Sequence, residues 1–122
     1  MWKGVLIEES MDVSEILSEI KIRDTKVTAQ EEEDKGEFHF YNIEVFEDKL
    51  EKVIEFISHN IKEGWYFHLV KDREMIVLFH NKVFKAKNEH QNEIDEIRKY
   101  ARSQGIIAEK LPLEKLFDNP YL

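Results

Sequence analysis

The 122-residue chain contains no cysteine. Disulfides, thiolate nucleophiles and cysteine-ligated zinc are therefore excluded. Glycine is scarce. Gly4, Gly36, Gly64 and Gly105 are the full set, too scattered for a phosphate-cradling loop, which needs several within a short span. Long apolar runs are missing, and none approaches the ~20 residues of a membrane span. The opening MWKGVLIEES has too short an apolar run and too acidic a flank for a signal peptide. A cytoplasmic location without a membrane partner is expected. Positive charge is also in deficit: 26 acidic residues against 18 basic ones give a net charge of −8. Such a surface repels phosphate backbones and anionic lipid at long range. Lys82, Lys85 and Lys87 are the densest basic group, too few to override that field, so nucleic acid is not an expected partner.

What is present describes one folded domain over residues 1–122. The apolar residues, 42% of the chain, are grouped and periodic, where disorder would leave them scarce and scattered. A chain this long buries roughly two-thirds of the surface its unfolded form exposes. The charged share of 36%, rich in Glu and Lys, is thermophile-like in composition.

Periodicity places the elements. Trp2 to Ile7 has β character, and Met11 to Leu17, with Val13 and Ile16, suggests one or two helical turns capped by Asp12 or Ser14. Ile20 to Gln30 reads as a strand whose apolar parity shifts between Ile22 and Val27, the mark of a bulge. Glu31 to Glu37 is a charged loop, and Glu37 to Phe46 returns as a strand. Phe38 and Phe40 share one parity, Ile43 and Val45 the other, which suggests a second bulge near Tyr41–Asn42. These two strands form a hairpin with an acidic, solvated tip. Leu50, Val53, Ile54, Ile57 and Ile61 make the stripe of a helix over 48–63, opened by Asp48 and Glu51 and ended by Gly64. Strands follow at Trp65–Val70, Met75–His80 and Val83–Ala86, then a helix over 89–104 with Asn88 as cap and Ile94, Ile97, Tyr100 and Ala101 inward. Gly105 ends it, and a short helix near Leu113 to Phe117 precedes Asn119–Pro120.

The segment from Gly64 to Lys87 is the most informative. Turns at Asp72–Arg73 and Asn81–Lys82 would set Tyr66 opposite Phe79 and Phe84, His68 opposite Val77 and Ala86, and Val70 opposite Met75. The other face would carry Trp65, Phe67, Leu69, Ile76 and Leu78, followed by His80, Val83 and Lys85. Strands that are apolar on both faces need a cover on each. The first hairpin folded over as a second sheet, the two terminal segments, or a second copy of the chain could supply it. The expected class is α+β, a largely antiparallel sheet of five or six strands with two main helices packed on one face.

Chemistry-bearing residues are weakly patterned. The five histidines include His68 and His80, which this register points to opposite faces, against a shared metal. Glu31, Glu32, Glu33 and Asp34 lack the alternating ligand spacing of a calcium loop. Glu8 and Glu9 could reach a cleft. Ser58 and His59 diverge by about 100° on a helix and form no dyad. Arg98 and Arg102 share a helical face and fit ion pairs with Glu93, Asp95 or Glu96 better than an anion site. No catalytic residue, metal or cofactor is expected.

The blocks WKGVLIEES, GWYFHLVKDREMIVLFHNKVFK, and YARSQGI with LPLEKLF together resemble a family of small uncharacterised proteins of bacteria and archaea of about this length. The resemblance covers most of the chain. It implies an independent domain and brings no functional residue. The leading expectation is a non-enzymatic module for protein binding or self-association, acting through Trp65, Phe67, Leu69, Ile76 and Leu78. The alternative is a small-molecule-binding protein or enzyme with a pocket near Tyr66, His68 and Tyr100.

Overall fold

A computed structural model describes residues 1–12, 14–29 and 37–121. Val13 and the expected acidic tip, Glu31 to Asp34 with Gly36, lie outside them. The strands are β1 (Trp2–Ile7), β2 (Lys21–Ala29), β3 (Glu37–Val45), β4 (Phe67–Lys71), β5 (Glu74–Phe79) and β6 (Lys82–Lys87); the helices are α1 (Leu50–Asn60), α2 (Gln91–Ser103) and α3 (Leu113–Asp118). Six strands form one sheet in the order β2-β3-β1-β4-β5-β6, every pairing antiparallel. The α+β class is as expected. The first hairpin extends this sheet and does not fold over it.

β1 is inserted between the two halves. Trp2, Gly4 and Leu6 alternate onto one face opposite Val45, Ile43 and Tyr41 of β3, and Gly4 also faces Leu69 of β4. A Cβ on Gly4 would lie 2.0 Å from the His68 carbonyl oxygen. Only a bare backbone lets β4 approach that closely.

The strands β4 and β5 are buried on both faces, Phe67 to Val70 and Met75 to Phe79 without exception. The chain answers with one helix on each side, where the sequence suggested both helices on one. Val53 and Ile57 of α1, with Ile61 just after it, pack on Trp2, Leu6, Ile43, Val45, Phe67, Leu69, Ile76 and Leu78. Ile94, Ile97 and Ala101 of α2, with Ile106, Leu111, Leu113, Leu116 and Phe117 of the C-terminal segment, pack on Val70, Met75, Val77, Phe79 and Ala86. Two oily faces are satisfied within one chain because the helices divide between them. Met11 and Ile16 join the α1 side.

The turns set the register. Asp72 and Arg73 both take positive φ (48° and 67°), the requirement of a two-residue hairpin turn, and Lys71 faces Glu74 as expected. The next turn is His80–Asn81, since Phe79 pairs with Lys82; the expected Asn81–Lys82 turn is displaced by one residue. The end of α1 fixes it there. Asn81 N–H donates to the Ser58 carbonyl at 2.7 Å, and His80 Nδ1 donates to the Ile61 carbonyl at 2.8 Å. Val77 therefore faces Phe84, and Ala86 faces Met75. A slip of two residues keeps every side chain on its face, which is why the expected face composition survives.

The bulge in β2 falls between Ile22 and Asp24. β3 carries none at Tyr41–Asn42, for it pairs with β1 without interruption from Phe40 to Val45. Its change of parity is a change of face: Ile43 and Val45 lie under α1, while Phe38 and Phe40 point to the opposite side. Neither Asp48 nor Asn88 caps a helix. A 3-10 turn over Glu47–Lys49 leads into α1, and the positions before α1 and α2, Lys49 and His90, make no side-chain cap bond.

Candidate functional site

Phe67, Leu69, Ile76 and Leu78, expected as an interface, are at most 2% exposed. Trp65 is half-buried against the same cluster. The chain's own α1 occupies this surface, so these residues cannot meet a partner while the helix is in place.

Tyr66, His68 and Tyr100 do not frame a common pocket. Tyr66 donates from its hydroxyl to the Lys110 carbonyl at 2.5 Å, and burial pushes its pKa up to about 12. His68 is 5% exposed and donates from Nε2 to the Pro120 carbonyl at 2.8 Å. Burial drives its pKa down to about 4, against the pull of that carbonyl toward the protonated form. Both side chains hold the C-terminal segment to the sheet. Tyr100 packs elsewhere, 5.0 Å from the Phe79 ring and 5.2 Å from the Phe84 ring. Two shallow clefts are lined by none of the three: one of about 210 Å³ beside Trp2, Leu50 and Lys85, the other of about 410 Å³ beside Lys3, Lys71 and Arg73, which borders His68 only through Pro120. Arg98 pairs with Glu114 of α3 through both its terminal nitrogens, and not with the acids of its own helix.

Two arrangements were not read from the sequence. The first joins the end of β1 to the start of β3. Glu8 and Glu9 open a 3-10 turn after β1, while His39 and Tyr41 lie on the α1 face of β3. Glu9 Oε1 accepts from the His39 backbone N–H at 2.6 Å, and Glu9 Oε2 lies 2.8 Å from His39 Nδ1. Glu8 Oε1 accepts from the Tyr41 hydroxyl at 3.0 Å, and Glu8 Oε2 lies 3.4 Å from the same His39 nitrogen. For Glu9, burial raises the pKa, but the His39 hydrogen bonds outweigh it and hold the carboxyl below its ordinary value. The Tyr41 pKa is raised, chiefly by its bond to Glu8, so the phenol remains a donor. All four side chains are half-buried. Thirty residues separate Glu9 from His39, and only the β1–β3 pairing could have announced the meeting.

The second is an apolar strip on the face opposite α1. Ile7 stands opposite Phe40, and the Phe38 ring lies 6.5 Å from Phe40 and 5.3 Å from Trp65. Val5, between Asn42 and His68, continues the row. All four are half-buried. None belongs to the cluster that α2 and the C-terminal segment build over β4 to β6, or to the one beneath α1. Tyr121 reaches over only as far as the Ile43 carbonyl, at 3.1 Å.

Among the described residues, no helix is long and apolar enough to cross a membrane. Comparison of the chain with protein-family models, curated proteins and solved structures returns no match.

Proposed function

We propose that the protein is a non-enzymatic protein-binding module whose contact surface is the open part of the sheet face, the strip Val5, Ile7, Phe38 and Phe40. One observation carries this reading: the same face is buried over β4 to β6, and among the described residues no helix covers it over Val5, Ile7, Phe38 and Phe40. Four adjoining apolar side chains left half in water are a surface that gains by being covered. The partner is another protein presenting apolar side chains among lysines or arginines. Net charge −8, with the Glu31–Asp34 run lying in sequence between the two hairpin strands, attracts a basic segment and repels a second copy.

A fluorescently labelled peptide of alternating leucine and lysine tests it by anisotropy. Saturable binding is expected, weakened roughly tenfold by Phe40→Ser, which removes about 1.4 kcal/mol of contact without changing charge. The leucine–glutamate counterpart should not bind. No binding of either peptide, or equal binding by wild type and Phe40→Ser, overturns the reading. A dimer in sedimentation that Phe40→Ser dissociates would replace the basic partner with a second copy.

A further inference from the structure

The Glu8, Glu9 and His39 cluster is independent of the strip and faces the other side of the sheet. We infer that it is a binding site for one divalent first-row transition-metal ion, of which zinc is the representative. Glu8, Glu9 and His39 each offer one donor atom, and the three atoms lie within 4.8 Å of one another; Glu8 Oε2 and Glu9 Oε2 both approach His39 Nδ1. Two of the separations are 2.8 and 3.4 Å. Ligands held at ~2.0–2.2 Å around a tetrahedral ion sit about 3.3 Å apart, and both separations from His39 Nδ1 lie within about 0.5 Å of that spacing.

What distinguishes this from a chance meeting of charges is how each carboxylate is held. In both, Oε1 is taken by a fixed donor: the His39 backbone N–H for Glu9, the Tyr41 hydroxyl for Glu8. In both, the remaining Oε2 is the atom turned toward His39 Nδ1. Carboxylates oriented by a hydrogen bond on one oxygen and free to ligate with the other are the usual supports of a metal centre. The supports belong to β3 and the carboxylates to the 3-10 turn directly after β1, so the β1–β3 register brings the donors together. One imidazole with two carboxylates suits zinc, iron(II), cobalt(II) or manganese(II) better than calcium or magnesium, which favour oxygen donors alone. At Nδ1 the ion takes the place of the hydrogen now directed at Glu9 Oε2, so binding displaces that proton from Nδ1. Three protein ligands leave a fourth position open to water, and the exposure of Glu8 (42%) and His39 (42%) gives it access.

Cobalt(II) titration of the full chain, followed by visible absorption, tests the inference, with zinc competing the signal away. One equivalent should bind and produce d–d bands of a low-coordinate N/O site. Glu8→Gln and His39→Gln should each weaken binding by tenfold or more, and Tyr41→Phe, which removes only the orienting donor, by roughly tenfold. Circular dichroism of each variant verifies that the fold is kept. Absence of a stoichiometric site, or binding that survives both Glu8→Gln and His39→Gln, overturns the assignment and leaves an ion-paired histidine.

Discussion

Acid should unfold this protein in part through His68. The imidazole is enclosed between β1 and β5, opposite Val5 and Val77, with its Nε2 bound to the Pro120 carbonyl. Folding lowers its pKa from 6.5 to about 4 because the charged form cannot be solvated there. The unfolded chain takes up a proton near pH 6.5, whereas the native state resists until about pH 4. The unfolded state thus binds more protons through this window, and stability falls as the pH falls. The loss begins near pH 6.5 and levels off below pH 4. From the two pKa values it is about 2 kcal/mol at pH 5 and about 3 kcal/mol at pH 4, relative to pH 8. His68→Gln isolates the effect, since an amide nitrogen can still donate to Pro120 and does not titrate. Urea unfolding of both proteins at pH 7.5 and pH 5 gives the comparison. Carboxylate contributions are common to the two and cancel. The stability of wild type relative to His68→Gln should drop by roughly 2 kcal/mol on going to pH 5. A difference that stays constant within about 0.5 kcal/mol would refute the claim that His68 is buried neutral.

Other substitutions test other parts of the architecture. Gly4→Ala should cost roughly 3 kcal/mol or more in urea unfolding, because its methyl meets the β4 backbone, whereas Gly105→Ala, at φ +82° with open space around it, should cost only about 1 kcal/mol; equal effects would contradict the insertion of β1 against β4. Ile57→Ala should cost about 2–5 kcal/mol if α1 is the cover of the Phe67 face, and a loss under about 1 kcal/mol would mean that face is shielded by something else. Arg98→Ala should cost about 0.5–1 kcal/mol, shrinking at high salt, since the pair with Glu114 is partly exposed; a salt-independent loss would point to packing of the arginine stem instead.

The local half of this fold was legible. Phe67 to Val70 and Met75 to Phe79 announce strands without a wet face, and Leu50 to Ile61 announces the helix. Gly105 takes the positive φ (82°) that its position after α2 suggests; Gly64 also takes positive φ (85°), but in a separate turn, because α1 ends at Asn60 with Ile61 as its cap and not at the expected residue 63. What could not be read is which helix covers which face. Both stripes are apolar and either side of β4–β5 would accept either one, so the choice rests on where the chain crosses the sheet. The β5–β6 turn was displaced for a similar reason. Asn81 tolerates positive φ in either frame, and the hydrogen bonds that choose between them come from Ser58 and Ile61, some twenty residues upstream.

The functional features share one non-local cause. β1 reads as a free-standing apolar segment, yet its insertion between β3 and β4 creates both arrangements of interest. It sets Ile7 against Phe40 on one side of the sheet. At its exit it delivers Glu8 and Glu9 to His39 and Tyr41 on the other. The parity change in β3 was the one local trace of this. Phe38 and Phe40 out of phase with Ile43 and Val45 look like a bulge if a strand is assumed to have one apolar face. They mark an open second face once β3 is known to lie inside the sheet. Strand order, and not composition, decides whether such a pair is core or contact surface. A sequence holds that order only in pairings between distant segments.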